Sequence, residues 1–377
     1  MNLRRLIAVA KKESLHIIRD SRSLYISIAL PMILLLLYGY ALTLDVDRVP
    51  MVIWDQSEST ESRELISRFT GSHYFTAQGH LQNYQDVERA IDSRQALAAI
   101  IIPKDFSQRL GARQNAPVQF IVDGTDANTA TLAMGYAEVV TLIYSQEIIL
   151  QKMRQLHGRV LTVPIEVRAR AWFNPDLESK NYIIPGLIAV IMMVIAALLT
   201  SLTVAREWEM GTMEQLISTP VKGPELITGK LIPYMILGLL DVLLAVLMGE
   251  YLFQVPLRGN VGLLFAMAAV FLAGALSLGM MISIVAKSQM LASQAAIVVT
   301  FLPSFLLSGF IFAISNMPTV IQWATYLVPA RYFITLLKGI YLKGIGLEIL
   351  GMEAVLLAMF GIAVVGLANF KFKRTLG

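Results

Sequence analysis

"YIIPGLIAVIMMVIAALLTSLTV", Tyr182 to Val204, contains no acidic or basic side chain. About 20 apolar residues in helical form cross the roughly 30 Å of hydrocarbon in a bilayer, so this run reads as a membrane span. Five more runs of the same kind flank it: Leu24 to Thr43, Leu231 to Phe253, Val261 to Ala286, Leu291 to Ile314, and Leu347 to Asn369. With 56% hydrophobic and only 15% charged residues, the chain departs from the composition of soluble domains. The expected fold class is a membrane all-α protein with six transmembrane helices.

The position of charge orients the spans. Arg4, Arg5, Lys11, Lys12, Arg19 and Arg22 precede the first run, and Lys371, Lys373 and Arg374 follow the last. By the positive-inside bias both termini are expected in the cytoplasm, which an even number of crossings permits. In the long loop from Asp45 to Asn181 carboxylates outnumber cations, and this loop is expected outside. The first apolar run exceeds a signal-peptide core and no A-x-A site follows it before Asp45, so a retained span is expected. Before it, residues 1–23 carry Leu3, Leu6, Ile7, Ala10, Ile17 and Ile18 on one helical side and Arg5, Lys12 and Arg19 on the other, the pattern of an interfacial helix. The formal charge of +4 arises from these cationic ends, and no basic face with interleaved aromatics points to nucleic acid. The absence of cysteine excludes disulfides.

Within 45–181 the periodicity changes. Val49 to Trp54, Ala96 to Ile102, Val118 to Val122 and Ile165 to Trp172 read as strands, and Ser59 to Phe69, Tyr84 to Ser93 and Asn128 to Leu156 as helices. The expectation is a compact α+β domain inserted between spans one and two. "VDGTDANTA" reads as a turn with Asp126 or Thr125 as helix cap, since it lacks the series of a calcium loop. His73, His80 and His157 are scattered, no Ser, His and Asp set assembles from spacing, and no metal site is assigned.

After Val204 the chain turns acidic in "AREWEMGTMEQLISTP", Ala205 to Pro220. Met210, Met213, Leu216 and Ile217 form an apolar stripe with Arg206, Glu207, Glu209 and Glu214 elsewhere, so span two is expected to continue as an amphipathic helix with its acids at the surface. Gly211 weakens that helix, and Thr219-Pro220 followed by Gly223-Pro224 enforces a turn and a restart, giving a cytoplasmic hairpin over 205–230. The hairpin suits contact with a basic soluble partner, and equally a solvated loop. Asp241, about ten residues into span three, is a costly group there, either bonded to a Ser, Thr or Gln of another span or facing a path for a cationic substrate. Ala275, Gly279 and Ser283 recur every fourth residue in span four and permit close helix contact, within the chain or with a second one. Residues 315–346, interrupted by Asn316, Pro318, Pro329, Arg331 and Lys338, are expected to form broken or re-entrant helices at the outer face.

Glu207-x-Glu209-x-Gly211-Thr212-x-Glu214-x-Leu216 followed by Pro220 resembles the cytoplasmic motif of ABC-2 type transporter permeases. Two further stretches carry the likeness: Leu302 to Gly344, with Ser308-Gly309, Met317-Pro318 and Pro329 to Phe333, and "WFNP" at Trp172 to Pro175 leading through "IIPG" at Ile183 to Gly186. Together they cover nearly the whole chain and include the large outer domain of the drug-export-like branch. The resemblance implies a permease without a cofactor of its own, working in the inner membrane of a bacterium. ATP and Mg would belong to a partner ABC ATPase, a second permease of the same or a homologous kind would complete the dimer, and a periplasmic adaptor is compatible with it. It also implies ATPase coupling through Glu207, Trp208, Glu209, Gly211, Thr212, Glu214, Leu216 and Pro220.

The residues agree in one respect: the chain has no G-x-x-x-x-G-K-[ST] phosphate loop, so it is expected not to be an enzyme. An ion-coupled secondary transporter would place several charges within the membrane and repeat its halves, whereas only Asp241 is central here and the long insertion breaks the symmetry. A membrane-anchored sensor would need a cytoplasmic output domain, and the cytoplasmic segments are short.

Overall fold

The computed structural model describes residues 2–42, 48–112, 114–157, 172–174 and 178–375. The chain divides into two compact units, one formed by Met1–Thr43 with Arg170–Gly377, the other by Leu44–Ala169.

The first unit is helical. It begins with α1 (Leu3–Arg19) and α2 (Ser21–Ala41), the latter with Pro31 inside it. After the second unit, described below, it resumes with α7 (Ser179–Glu209), α8 (Thr212–Ile217) and α9 (Gly223–Leu247), followed by a π-helical turn at Met248–Leu252. Then come α10 (Val261–Ala286), α11 (Gln289–Leu306), α12 (Thr319–Thr325), α13 (Pro329–Lys338) and α14 (Leu347–Thr375). Among the described residues five helices are long and apolar enough to cross a membrane: α7, α9 with its π turn, α10, α11 and α14. The first expected span corresponds to α2, whose apolar part Ser27–Ala41 is shorter. Residues 315–346 form two short helices, α12 and α13, and a second π turn at Gly339–Lys343. Phe333, Leu336, Leu337 and Ile340 of this stretch are buried, whereas Val320, Trp323 and Leu327 are exposed.

The centre of the unit is α7, apolar on every side and buried against α2, α10, α11 and α13, as an all-round hydrophobic helix must be. Its seam with α10 uses the small residues of that helix. A Cβ at Gly279 would overlap the Ala197 carbonyl oxygen and the Thr200 hydroxyl, so only glycine permits this approach. Thr200 Oγ1 donates to the Leu276 carbonyl at 2.8 Å, and Ser283 Oγ accepts from the Val204 and Ala205 amides at 3.0 and 2.9 Å. Ala275 is buried on the same helix. The contacts of Gly279 and Ser283 thus lie between two helices of one chain.

The second unit runs β1 (Val49–Asp55), α3 (Thr60–Thr70), β2 (Phe75–His80), α4 (Tyr84–Asp92), β3 (Ala98–Ile102), α5 (Phe106–Gly111), β4 (Gln119–Val122) and α6 (Ala127–His157). The sheet order is β2-β1-β3-β4, with β1 parallel to β2 and to β3, and β3 antiparallel to β4. Parallel neighbours need helical crossovers, and α3 and α4 supply them. The unit is therefore an α/β layered domain with an antiparallel edge strand, which corrects the α+β expectation. Alternation along β1 serves both faces: Val49, Met51 and Ile53 pack with α3, α5 and α6, while Val52 joins Val87 and Ala90 of α4. Strand β2, "FTAQGH", has no counterpart among the expected strands because a mostly exposed edge strand lacks apolar alternation. The strand expected over Ile165 to Trp172 lies outside the described residues up to 171, and Trp172 itself is not in a strand. Asp126 caps α6, accepting from the Asn128 amide at 3.0 Å and the Thr129 hydroxyl at 2.5 Å. These bonds, the one from Thr129 foremost, hold its carboxyl below the usual range.

Candidate functional site

Helix α7 runs on past its apolar stretch through Arg206, Glu207, Trp208 and Glu209 and ends at its cap Met210, and Gly211 then starts α8. There φ is +69°, a left-handed conformation that glycine adopts without steric cost. The expected continuous amphipathic helix is thus broken in two, and its stripe divides: Met210 is 66% exposed while Met213, one turn on in α8, is fully buried. Met213 lies in an apolar cluster with Val9 of α1, Val204 of α7, Leu226 and Ile227 of α9, Met280 and Ile284 of α10, and Phe372 of α14. Through Met213 this short helix, which packs chiefly on α7, joins an apolar cluster to which five helices contribute. After the Thr219-Pro220 turn, Glu225 in the first turn of α9 accepts from the Lys222 amide at 3.1 Å and from the Asn2 amide at 2.6 Å. Arg5 of α1 donates to the Pro220 carbonyl.

The charges of this region turn inward. Lys230 of α9 is only 2% exposed, and its Nζ donates to Glu13 Oε2 at 3.0 Å and to Glu207 Oε1 at 2.9 Å. Lys12 donates to the same Glu207 oxygen at 2.9 Å, and the Tyr234 hydroxyl donates to Glu13 Oε1 at 3.1 Å. Two ammonium groups thus face two carboxylates, so the net charge of the group is zero and each desolvated ion has a partner. Nearby, Arg206 NH1 lies 2.5 Å from His16 Nε2 and 3.9 Å from Asp20 Oδ2. A cavity of ≈ 250 Å³ opens beside these groups, walled by Lys12, Glu13, His16, Arg206, Glu207, Lys230 and Tyr234. The ties join α1, the end of α7 and the start of α9. Gly229 allows α1 to approach, since a Cβ there would press on Val9.

The expectation of surface acids therefore holds for only part of the segment. Glu207, 7% exposed, is an internal ion-pair partner, because α1 folds over it, a contact no single-helix projection contains. Glu209 accepts from the backbone and side-chain nitrogens of Gln289 at the start of α11, at 2.8 and 2.6 Å. Glu214 is exposed. Thr212 Oγ1 donates to the Glu207 carbonyl at 3.3 Å, and Leu216 packs partly against the Met213 cluster. Pro220 is exposed apart from its bond with Arg5. Lys287 Nζ sits 4.7 Å from the centre of the Trp208 ring, a cation–π distance.

Asp241 shares the α9 face of Lys230, Tyr234 and Leu237, following at i+4, i+7 and i+11 from Lys230 and therefore about 16 Å deeper along the helix. It is 1% exposed, and among the described residues its Oδ1 has no hydrogen-bond partner. Among the described residues no Ser, Thr or Gln hydrogen-bonds this oxygen. No group of three or more potential metal ligands occurs among the described residues.

Lys12, Glu13, Lys230 and Tyr234 were not singled out from the sequence as site residues. A signal was present: Leu6, Ala10, Glu13 and Ile17 follow helical spacing, so Glu13 interrupts the apolar stripe of α1. An acid in that position needs a cation on the helix it packs against.

Residues 22–370 match the family described as ABC-2 family transporter protein. Over its full length the chain is 37% identical to the probable multidrug ABC transporter permease YbhS of Escherichia coli (strain K12), covering 98% of that protein. It is 32% identical to the probable multidrug ABC transporter permease YbhR of the same organism, over 90% of each chain. A more distant relative, ABC transporter G family member 20 of Dictyostelium discoideum, is 23% identical over 86% of this chain and 44% of its own length.

Proposed function

This chain belongs to the ABC-2 family of transporter proteins, as a multi-pass membrane permease, and on that premise we propose that it exports a small or amphiphilic substrate across the cytoplasmic membrane. The names of its relatives support a drug-like substrate. Energy comes from a separate ABC ATPase, which binds ATP and Mg. A second permease, identical or homologous, completes the pathway. In this reading the chain crosses the membrane six times, with both termini inside and the α/β unit outside.

The ATPase engages α8 and the turns on either side of it. The observation that carries this is the setting of Met213, a fully buried side chain on a six-residue helix, in one apolar cluster with residues of α1, α7, α9, α10 and α14. Packed interiors transmit displacement because they are close to incompressible, so a push on α8 enters α7 and is carried through the shared cluster to the other helices. Exposed Glu214 offers the charge that a basic docking surface would meet, while Glu207 and Lys230 lock α1 to α7 and α9. Met213→Ala tests the role. Truncating a buried methionine costs about 2–5 kcal/mol of local packing. Transport by the reconstituted complex should fall while ATP hydrolysis continues without response to substrate. Transport at the wild-type rate with normal stimulation would refute the coupling role of α8.

A further inference from the structure

The α/β unit reverses its winding at β1. From β1 the chain passes through α3 to β2 on one flank, then through α4 to β3 on the other flank. The segment leaving β1 passes to α3 on one face of the sheet and the segment leaving its neighbour β2 passes to α4 on the other, so the chain diverges at the carboxyl ends of these strands, the usual place for a ligand in a wound sheet. A crevice exists here as a cavity of ≈ 1070 Å³ at the ends of β1, β2 and β3, reached by Asp55, His80 and Lys104. Its apolar wall is Trp54, Ile66 and Leu81, and its cations are Arg63 of α3 and Lys104 after β3.

Charge in the crevice is unevenly spent. Asp55 Oδ1 accepts the Ser57 and Glu58 amides at 2.9 and 3.1 Å, and its Oδ2 accepts the Ser62 hydroxyl at 2.6 Å. That carboxylate is consumed in holding the loop that leads into α3. Among the described residues Arg63 and Lys104 make no ion pair, although Arg68, one turn farther along α3, is paired with Glu147 at 2.7 Å. Glu58 stands at the exposed rim, and with Asp55 the two acids balance the two cations, so the lining is neutral overall while the donors of Arg63 and Lys104 are left without a carboxylate partner among the described residues. A guanidinium and an ammonium over an apolar floor fit one acidic group joined to an apolar body.

We propose that this crevice binds a small amphipathic organic acid, its carboxylate or phosphate held by Arg63 and Lys104 and its apolar body against Trp54, Ile66 and Leu81. The site belongs to the α/β unit and does not depend on how the membrane unit is energised.

The test is calorimetric titration of the full chain in lipid nanodiscs with benzoate, phenyl phosphate and uncharged benzyl alcohol, with empty nanodiscs subtracting any lipid contribution. Saturable binding of benzoate or phenyl phosphate at one site per chain is expected, and the stronger of the two identifies the acid. Arg63→Gln/Lys104→Gln should weaken it roughly tenfold or more, as the loss of two charge-assisted contacts implies. Arg68→Gln should leave it unchanged. As a second readout, the same anion should change tryptophan fluorescence in the wild type and not in Trp54→Phe. Absence of saturable binding by both anions, benzyl alcohol binding equally well, or undiminished affinity in the double variant would overturn the proposal.

Discussion

Replacing Lys230 with methionine keeps the length of the side chain and removes its charge. In the folded protein Lys230 Nζ lies 3.0 Å from Glu13 and 2.9 Å from Glu207, and the two acids have side-chain exposures of 5% and 9%. Lys12 still pairs with Glu207 after the change, but its own side chain is 54% exposed, and among the described residues Glu13 keeps only the Tyr234 hydroxyl. Removing one member of a buried ionic group costs about 3–5 kcal/mol, because a desolvated charge loses its partner. Lys230→Met should therefore destabilise the helical unit by roughly that amount, against about 0.5 kcal/mol for an ordinary surface change. The double variant Glu13→Gln/Lys230→Met should recover part of the loss, since the amide no longer needs a counter-ion. A recovery of about 0.5–3 kcal/mol is the expected coupling for residues in contact. The assay is thermal unfolding of single, double and wild-type proteins in one detergent, followed by circular dichroism, with denaturant titration supplying the free energies. Wild-type stability in Lys230→Met, or strict additivity in the double variant, would show that the buried ion group does not hold α1 to α7 and α9.

Gly279→Val should destabilise the unit by about 1–3 kcal/mol through the overlap at Ala197 and Thr200, and more than Gly351→Val, whose position is open; paired thermal melts check this. Asp126 is held below its ordinary pKa by its bonds with Thr129 and Asn128, so its contribution is present above the unfolded carboxylate value and is lost as pH falls through the lower folded one. The stability of Asp126→Asn should therefore fall less than the wild type's on acidification into that window, as followed by the far-ultraviolet signal of the α/β unit across a pH series.

The membrane character, the seam and most of the sheet were legible in the sequence because each is carried by one element's own spacing. Long apolar runs announce α7, α9, α10, α11 and α14, and the four-residue repeat Ala275, Gly279, Ser283 announces a face that must meet another helix closely. What stayed hidden depends on pairs of elements far apart in sequence. Glu207 looks like a surface acid on the wheel of its own helix, and only the arrival of Lys12 and Lys230 from α1 and α9 makes it internal. Met210 and Met213 belong to one stripe only while the helix is continuous, and the left-handed turn at Gly211 separates them. The βαβ winding is not legible in the sequence because β2 is polar at the edge, so the strand that makes its neighbour parallel leaves no periodic signal.

The central claim is that α8 is the contact through which an ATPase drives this permease. A photoreactive benzoylphenylalanine at Glu214, on the exposed side of that helix, tests it in native membranes. Illumination should give one adduct to a subunit identified by mass spectrometry as an ABC ATPase, at a yield that changes between ATP-bound and nucleotide-free states, and the same residue placed at exposed Met352 in α14 should give none. Adduct formation independent of nucleotide, or no ATPase adduct while the labelled chain still transports its substrate, would contradict the account.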